Sequence, residues 1–569
     1  MPKTLPPLSR KPRILLSSVV GPYGVDDDYG RKENIMELLH NQVTRGQGIA
    51  SWRFHHRSFG LYLMAANLDA DVTVLDFPDT ARFRRELRRG YDVVGISFIT
   101  PNFLKAREMA RIVRCESAQS VLVFGGHGAA IEGADELIDC DHMVRGEGIG
   151  WFREFLGQDA RAPIVHPPMP SMERMSAFGI PFPRRSANLL ITGVGCVNGC
   201  RFCSTSHLFG CEYVPFVSSG EELFEVACRT ADETGVDEFF IMDENFLKTR
   251  DRAEGLLAAM ERHERFFRFQ IFSSAEAVLA FGVDRLARLG VDFLWIGVES
   301  STAQGNFEKN RGVDTRALVR DLRDRGIRVL ASGILCQEHH TQATIQTEID
   351  FMVDLEADLV QFMLLTCLPT TALYRQHRDQ GRLREDLPYE EWHGQKYLNY
   401  THPEFPGDEP ERWLKSAFRQ DYEMNSSSLY RVVDTAFRGY RHLAALPARD
   451  ACLTHRMRML EDDVRMYRLM LPVIARFAVN ATERERARDL DRAVTQVFGP
   501  LPAKDRLLRA ALPLLTTWWK LRVRVRGDVM QPKTMLTHYP AAATGGPSVT
   551  NPACTRPRRR SDAVPDASR

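Results

Sequence analysis

The chain has 569 residues, of which 44% are hydrophobic and 26% are charged, a length that suggests roughly two to four domains. Its net charge of +1 excludes a global field that would attract nucleic acid. We find no apolar segment typical of a secretion signal at the start and no apolar run of transmembrane length. The 11 cysteines are mostly scattered, so we expect a reducing, cytoplasmic location.

Residues 12–160 alternate short apolar runs with amphipathic stretches. The runs lie at 13–20, 71–77, 92–98, 120–124 and 142–145. This alternation predicts an α/β domain with a parallel, doubly wound, Rossmann-like sheet. Ligands of such sheets bind beyond the carboxyl ends of the strands.

Three of those strand ends carry small and polar residues that suit a large, flat ligand. They are Ser97 and Thr100 after the third run, Gly125, Gly126, His127 and Gly128 after the fourth, and Arg145, Gly146, Glu147 and Gly148 after the fifth. Glycine lets the backbone approach a ligand closely. No G-x-G-x-x-G follows the first run, so a dinucleotide is not expected. A scaffold without a ligand is the alternative, since glycine turns also serve geometry alone.

A second α/β domain is expected at 187–380, after a proline-rich linker at 161–186. Its apolar runs lie at 188–192, 237–245, 268–274, 293–300, 328–335 and 359–365. Their spacing predicts a (β/α)6 partial barrel of parallel strands. Functional groups of such barrels gather at the carboxyl ends of the strands.

Three cysteines with the spacing C-x3-C-x2-C follow the first strand of this second domain. Cys196, Cys200 and Cys203 can turn their sulfurs toward one centre. Thiolates prefer zinc, copper(I) or iron–sulfur clusters, and a closed structural zinc site needs four ligands. Three thiolates on a cubane cluster would leave one iron open for chemistry. A zinc site completed by Cys211 or His207 is the alternative.

The cysteine spacing resembles the signature of the radical S-adenosylmethionine (radical SAM) enzymes. The resemblance implies that the three cysteines hold a [4Fe–4S] cluster whose open iron binds S-adenosylmethionine. It also implies cofactor contacts from Phe202, Asp243, Glu244, Asn245, Ser273, Ser274 and Glu299. The family's G-G-E is replaced here by 243–245, and its G-x-P-G-E-T is replaced by 336–341. His339 and His340 are acid or base candidates in that altered segment, with polar loop residues as the equal alternative.

The strand ends of the first domain resemble the cobalamin-binding domain that precedes many radical SAM domains, with G-G-x-H and R-G-E-G at two of them. The resemblance implies bound cobalamin. Because the D-x-H-x-x-G motif is absent, cobalamin would bind base-off, without a histidine on cobalt. His127 is expected to hydrogen-bond backbone or ligand instead. The two resemblances together cover residues 12 to about 380.

This combination implies a cobalamin-dependent radical SAM methyltransferase that methylates an unactivated carbon. In that family a 5′-deoxyadenosyl radical abstracts hydrogen, and methylcobalamin supplies the methyl group. The implied partners are a small-molecule or lipid substrate and an external electron donor of flavodoxin or ferredoxin type. Ring formation or rearrangement without methyl transfer is the first alternative, and a non-catalytic cobalamin or cluster sensor is the second.

From about residue 381 the strand pattern stops. Residues 381–530 read as amphipathic helices, which we expect to close over the barrel mouth. Within them, 512–526 places paired tryptophans beside alternating cations, which suits either a membrane interface or an element packed on the protein. The composition of 531–569 predicts a disordered tail.

Overall fold

The computed structural model describes residues 9–21, 52–170, 187–301, 312–526 and 532–541, with a few positions between them. In its first part the chain order is β1 (Arg13–Ser17), β2 (Trp52–His56), α1 (Phe59–Ala66), β3 (Asp71–Asp76), α2 (Thr80–Leu87), β4 (Val93–Ser97), α3 (Phe103–Glu116), β5 (Val121–Gly125), α4 (Ala134–Leu137), β6 (His142–Met143), α5 (Gly148–Phe155), β7 (Met172–Ala177) and β8 (Ile180–Pro181).

The first sheet has the parallel strand order β3-β1-β4-β5-β6, as the apolar runs predict. Alternate residues of β1 enter two different apolar clusters: Ile14 and Leu16 pack on one face, and Leu15 packs on the other. A sheet buried on both faces requires this continuous apolar sequence. The carboxyl ends of β4, β5 and β6 therefore lie at one edge, where the predicted ligand residues follow.

The linker contains more structure than an extended connector. Strand β7 pairs antiparallel with β2 and with β8, which forms a separate three-stranded sheet. The proline-rich composition concealed this pairing, because the partner strand β2 lies more than a hundred positions earlier in the sequence. Positions 171, 178–179 and 182–186 of the linker fall outside the described residues.

The second domain begins where the linker ends. Its elements are β9 (Asn188–Leu190), β10 (Gly193–Val194), α6 (Ser204–Leu208), β11 (Val214–Pro215), α7 (Gly220–Thr234), β12 (Glu238–Ile241), α8 (Arg250–Arg262), β13 (Arg268–Ser273), α9 (Ala275–Phe281), α10 (Val283–Arg288), β14 (Val291–Glu299), α11 (Thr315–Asp324), β15 (Arg328–Leu335), α12 (Ile345–Val353), β16 (Leu359–Leu364) and α13 (Ala372–Asp379). The six-stranded sheet β9-β12-β13-β14-β15-β16 is parallel throughout and follows chain order. The predicted (β/α)6 partial barrel is confirmed.

The last part is helical and ends in one strand. Its elements are α14 (Glu409–Asn425), α15 (Ser428–Ala444), α16 (Ala451–Tyr467), α17 (Leu471–Phe477), α18 (Ala481–Phe498), α19 (Ala503–Arg526) and β17 (Met535–Tyr539). Apolar side chains of α15 to α19 form a cluster of their own, separate from the barrel core. In the part of the chain that the structure describes, every helix is too short or too polar to cross a membrane.

The helical bundle does not close over the barrel mouth, which corrects the sequence-based expectation. Asp463 of α16 accepts hydrogen bonds from Arg268 at 3.0 Å and from Arg328 at 3.3 Å. These arginines are the first residues of β13 and β15, so α16 docks at the amino ends of the strands. Arg431 of α15 likewise donates to the carbonyl of Ala357, just before β16. The bundle therefore lies at the end of the barrel opposite the cysteine loop.

Strand β17 lies within the segment predicted to be disordered, and that prediction is wrong for Met535–Tyr539. This strand pairs antiparallel with β3, from Met535 opposite Asp76 to Tyr539 opposite Val72. It covers the edge of the first sheet, which would otherwise present unpaired backbone groups. Residues 542–569 lie outside the described residues.

Candidate active site

The cysteine loop stands at the carboxyl end of β9 and is held at its base by a short hairpin. Strands β10 and β11 pair antiparallel across Gly193 and Pro215. Gly195 follows with φ +87°, and a Cβ there would lie 2.2 Å from the carbonyl oxygen of Glu212, so only glycine fits this turn. Cys203 donates its amide to the Cys200 carbonyl at 3.0 Å and then begins α6.

The three thiols are half-buried and lie close to one another. Burial raises the pKa of Cys200 to about 11, and the thiols of Cys203 and Cys196 act in the same direction. Burial also raises the pKa of Cys196. A bare thiolate is disfavoured here, whereas a coordinated metal deprotonates a thiol outright.

The donor set fits an iron–sulfur cluster. Among the described residues, no group of three or more His, Cys, Asp and Glu side chains is arranged to hold a single metal ion. An iron–sulfur cluster does not require the three sulfurs to converge on one ion, because each thiolate is bonded to a different iron. Cys211, weighed above as a fourth ligand, instead contacts the Nδ1 atom of His207 at 3.8 Å and lies near the Gly199 backbone.

A cavity of about 790 Å³ opens beside this loop. Its lining combines the loop with side chains that follow β12, β13, β14, β15 and β16. The lining residues include Asn198, Cys200, Arg201, Phe202, Lys248, Glu276, Lys309, Gln337, Glu338, His339, Leu365 and Leu373. Ligand sites commonly have volumes of about 300–1,000 Å³. The polar lining and the size fit a charged, nucleoside-sized cofactor such as S-adenosylmethionine.

Glu299 is linked to this cavity by Lys309, a cation that the sequence analysis did not identify. It ends β14 with φ +69° and forms an ion pair with Lys309, which also lies 5.8 Å from the centre of the Phe202 ring. Burial lowers the pKa of Lys309, but Glu299 and Cys200 outweigh that effect and the net pKa is raised. Lys309 therefore remains charged and places one cation between the cysteine loop and β14.

Asp243 is engaged by protein partners rather than open to the cavity. Its Oδ2 atom accepts hydrogen bonds from Arg252 at 2.6 Å and from Tyr213 and Thr192 at 2.8 Å each. Its Oδ1 atom accepts the Asn245 amide at 3.0 Å. Since Thr192 precedes the cysteine hairpin, this buried network ties the end of β12 to the base of the loop. Sequence reasoning missed Arg252, because nothing in an amphipathic helix marks one arginine as buried.

Asn245, Ser273 and Ser274 lie at the ends of neighbouring strands and hydrogen-bond to one another. The Asn245 carbonyl accepts from the Ser273 hydroxyl at 2.9 Å, and its amide donates to the Ser274 hydroxyl at 2.9 Å. Ser274 then donates to Glu276, which is paired with Lys248 at 3.0 Å. This chain runs from a buried polar cluster to the cavity wall.

Glu244 is the predicted ligand that faces open space. Its side chain is exposed, yet protein surrounds it on most sides, and the resulting desolvation raises its pKa to about 8. The charge of Glu244 also helps to raise the pKa of Cys196, so Glu244 lies near the cysteine loop. A carboxyl in this position can pair with a cationic group placed in the cavity.

The altered segment after β15 brings an acid, Glu338, to the cavity beside His339, one of the two histidines weighed in the sequence. Glu338 lies 3.3 Å from the Nε2 atom of buried His377 and 3.4 Å from Arg201. The hydrogen bond with His377 lowers the pKa of Glu338. His339 lines the cavity, whereas His340 is buried and accepts the Gln337 amide at 3.2 Å. Glu338 and His339 are therefore the residues of this segment that can meet a substrate.

A second cleft lies at the ligand edge of the first sheet. It is bounded by strand-end residues of the first domain and by apolar residues of the second: Gly95, Ser97, Gly125, Gly126, Gly146, Glu147, Gly148, Ile191, Val194, Phe209 and Phe216. At Gly146, which has φ +91°, a Cβ would meet only the Leu208 carbonyl oxygen at 3.9 Å. The missing side chain leaves the backbone at this edge open to a flat ligand between the domains, as the close approach of a corrin would require.

The other predicted residues of this edge hold its turns in place, and Glu147 also lines the cleft. Glu147 caps α5 by accepting the amides of Ile149 and Gly150, and Arg145 donates to the Ala129 carbonyl at 2.9 Å. Thr100 and Gly128 are buried in short turns behind the cleft. Burial lowers the pKa of His127, which makes no side-chain hydrogen bond with the described residues.

The two sites share one short helix. Helix α6 begins directly after Cys203, and Leu208 at its end lies beside Gly146 of the first domain. Five helical residues span about 8 Å. The cysteine loop and the glycine-lined cleft therefore face opposite ends of the same helical turn.

Comparison with known proteins identifies both domains. Residues 49–156 match the family model of the B12 binding domain, and residues 190–352 match that of the radical SAM superfamily. An uncharacterized methyltransferase, PH0819, of Pyrococcus horikoshii is 22% identical over 345 residues, which are 54% of this chain and 73% of that protein. The hopanoid C-2 methylase of Rhodopseudomonas palustris is 25% identical over 202 residues, 34% of this chain and 38% of that protein.

The solved structure of the radical S-adenosylmethionine methyltransferase TsrM from Kitasatospora setae, with cobalamin and a [4Fe–4S] cluster bound, has the same fold. The TM-score is 0.51 at 16% identity, over 81% of this chain and 99% of that chain. A second TsrM structure, with tryptophan substrate and a SAM analog, gives 0.50 at 17% identity, over 80% and 99%. The predicted family resemblance, fold class and enzyme class are confirmed: the chain carries a B12-binding domain followed by a radical SAM domain.

Proposed function

We propose that the chain methylates an unactivated carbon of its substrate, taking the methyl group from S-adenosylmethionine by way of cobalamin. The observation that carries this proposal is the placement of the cysteine loop and the glycine-lined cleft at the two ends of α6. When bound, a [4Fe–4S] cluster would supply the electron that cleaves S-adenosylmethionine, and cobalamin would supply the methyl group.

Each domain contributes positioned side chains to this reaction. Cys196, Cys200 and Cys203 would hold the cluster, and Glu244 and the Asn245–Ser274 cluster would orient the polar groups of S-adenosylmethionine. The strand-end glycines of the first domain would admit the corrin to the interdomain cleft. Holding two reactive cofactors on one rigid unit fixes their separation, which lowers the entropic part of the barrier.

The substrate side of the cavity is polar. Glu338 and His339 come from the segment that departs from the family pattern, and Arg201 pairs with Glu338 at 3.4 Å. We infer a small-molecule substrate whose reacting carbon lies near this wall. An external one-electron donor of flavodoxin or ferredoxin type would reduce the cluster.

One anaerobic experiment tests the proposal. The protein is reconstituted with iron, sulfide and hydroxocobalamin, reduced, and given methyl-labelled S-adenosylmethionine. We expect label in the bound cobalamin and formation of 5′-deoxyadenosine. Formation of 5′-deoxyadenosine without label would indicate ring formation or rearrangement, and absence of both would indicate a sensor. Cys200→Ala is the matched control, because it should lose 5′-deoxyadenosine while it still binds cobalamin.

A further inference from the structure

Helix α19 exposes a continuous apolar stripe. Leu507, Leu514, Trp518, Leu521 and Val525 are between 52% and 75% exposed. At 3.6 residues per turn, all five fall within a sector of about 60°. The opposite face of the helix, with Leu512, Thr516 and Trp519, is buried against the bundle. The exposed stripe is therefore one contiguous apolar surface rather than a set of isolated surface leucines.

Cations border this stripe on both sides. Helical geometry places Lys504, Arg522 and Arg526 along one side and Arg506 and Arg524 along the other. Lys520 lies farther round the helix, with its Nζ atom 4.7 Å from the centre of the Phe477 ring. All six are exposed, and none forms an ion pair with a described residue. Asp505 is the one acidic residue of the helix. The surface thus combines apolar contact with strong positive charge.

We propose that α19 lies on an anionic membrane surface, with the stripe in the headgroup layer and the cations against lipid phosphates. An interfacial helix has this pattern of apolar and tryptophan residues between lysines and arginines. A second copy of the chain is a poor occupant of this surface, because the cations beside the stripe of one copy would face those of the other. Residues 542–569 do not complement the surface either, since they carry five arginines and two aspartates.

The test is flotation of the purified full-length chain with vesicles of phosphatidylcholine alone or mixed with phosphatidylglycerol. We expect binding to the anionic vesicles, at least tenfold stronger than to the neutral ones and weakened by salt. Leu514→Ser combined with Leu521→Ser should lower binding at least tenfold. Arg506→Gln combined with Arg524→Gln should lower it roughly fivefold per cation removed.

Two matched variants control for general surface effects. Leu279→Ser removes an exposed leucine from α9, and Arg316→Gln with Arg412→Gln removes exposed cations elsewhere. Both should bind vesicles like the unmodified chain, and circular dichroism verifies that every variant is folded. Absence of vesicle binding, or binding that the α19 variants leave unchanged, would overturn the proposal. A dimer that the leucine variants dissociate, without vesicle binding, would overturn it in favour of self-association.

Discussion

Arg252 donates to Asp243 at 2.6 Å in an ion pair whose two side chains are at most 2% exposed. The pair lies between the end of β12 and α8, and through Thr192 it reaches the base of the cysteine hairpin. A buried charge pair of this kind organises its surroundings, because neither partner can be removed without leaving the other unpaired.

Replacing Asp243 by Asn should therefore destabilise the fold. Arg252 would keep its charge without a counterion, at a cost of about 3–5 kcal/mol. The denaturant midpoint of unfolding measures this loss. Asp251→Asn is the control, since Asp251 is exposed at the start of α8 and should change stability by less than about 1 kcal/mol. Equal stability of the two variants, with S-adenosylmethionine binding lost only in Asp243→Asn, would assign Asp243 to the cofactor instead.

Replacing Gly146 by Val should weaken cobalamin binding at least tenfold. The new side chain would extend into the interdomain cleft that Gly146 lines. Equilibrium titration followed by the cobalamin absorbance measures the affinity.

Gly90→Val provides the matched control for backbone strain. Gly90 has φ +76° and open space around it, but it lies away from the cleft. Both variants should lose about 1–2 kcal/mol of stability from the left-handed backbone, whereas only Gly146→Val should lose affinity. Equal affinities would remove the cleft as the cobalamin site.

His166 should make stability depend on pH. Burial lowers its pKa to about 4, and its Nε2 atom accepts the Ile191 amide at 2.9 Å, so it is neutral in the folded protein. In the unfolded chain, His166 binds a proton near pH 6.5. The stabilisation that neutral His166 contributes to the folded state is therefore complete above that pH and is lost as the pH falls toward 4. The loss is roughly 3 kcal/mol for a shift of this size.

His166→Gln keeps an acceptor for the Ile191 amide but does not titrate. We expect the free energy of unfolding of this variant to fall less steeply between pH 7 and pH 4 than that of the unmodified chain. Denaturant titrations at several pH values measure the difference. Parallel pH profiles would show that His166 does not contribute.

The sequence was sufficient to locate most strands and helices, but it did not show which distant segments pair with one another. Apolar runs located the five parallel strands of the first sheet and the six of the barrel, because buried parallel strands need continuous apolar residues. The spacing of Cys196, Cys200 and Cys203 was sufficient to propose a candidate site after β9. Met535–Tyr539 was missed because its pairing with β3 joins segments over 450 positions apart.

The errors at the site have the same origin. Asp243 and Glu244 are adjacent in the sequence and equally acidic, yet Asp243 is buried against Arg252 and Glu244 is exposed. Likewise, Lys309 follows β14 without a motif, and only the fold brings it beside Glu299. The contact of Asp463 with the amino ends of the strands could not be predicted from an amphipathic helix either. Helical periodicity shows which face of a helix is buried, but it does not show which part of the protein that face packs against.

The most direct test of the account is the response of the cluster to S-adenosylmethionine. The protein is reconstituted anaerobically, its metal content is measured, and the reduced sample is examined by electron paramagnetic resonance before and after S-adenosylmethionine is added. We expect four irons per chain, a signal that changes on addition, and loss of both in Cys196→Ala, Cys200→Ala and Cys203→Ala but not in Cys115→Ala, whose thiol is exposed on the first domain. Zinc in place of iron, or a signal that S-adenosylmethionine leaves unchanged, would contradict the account.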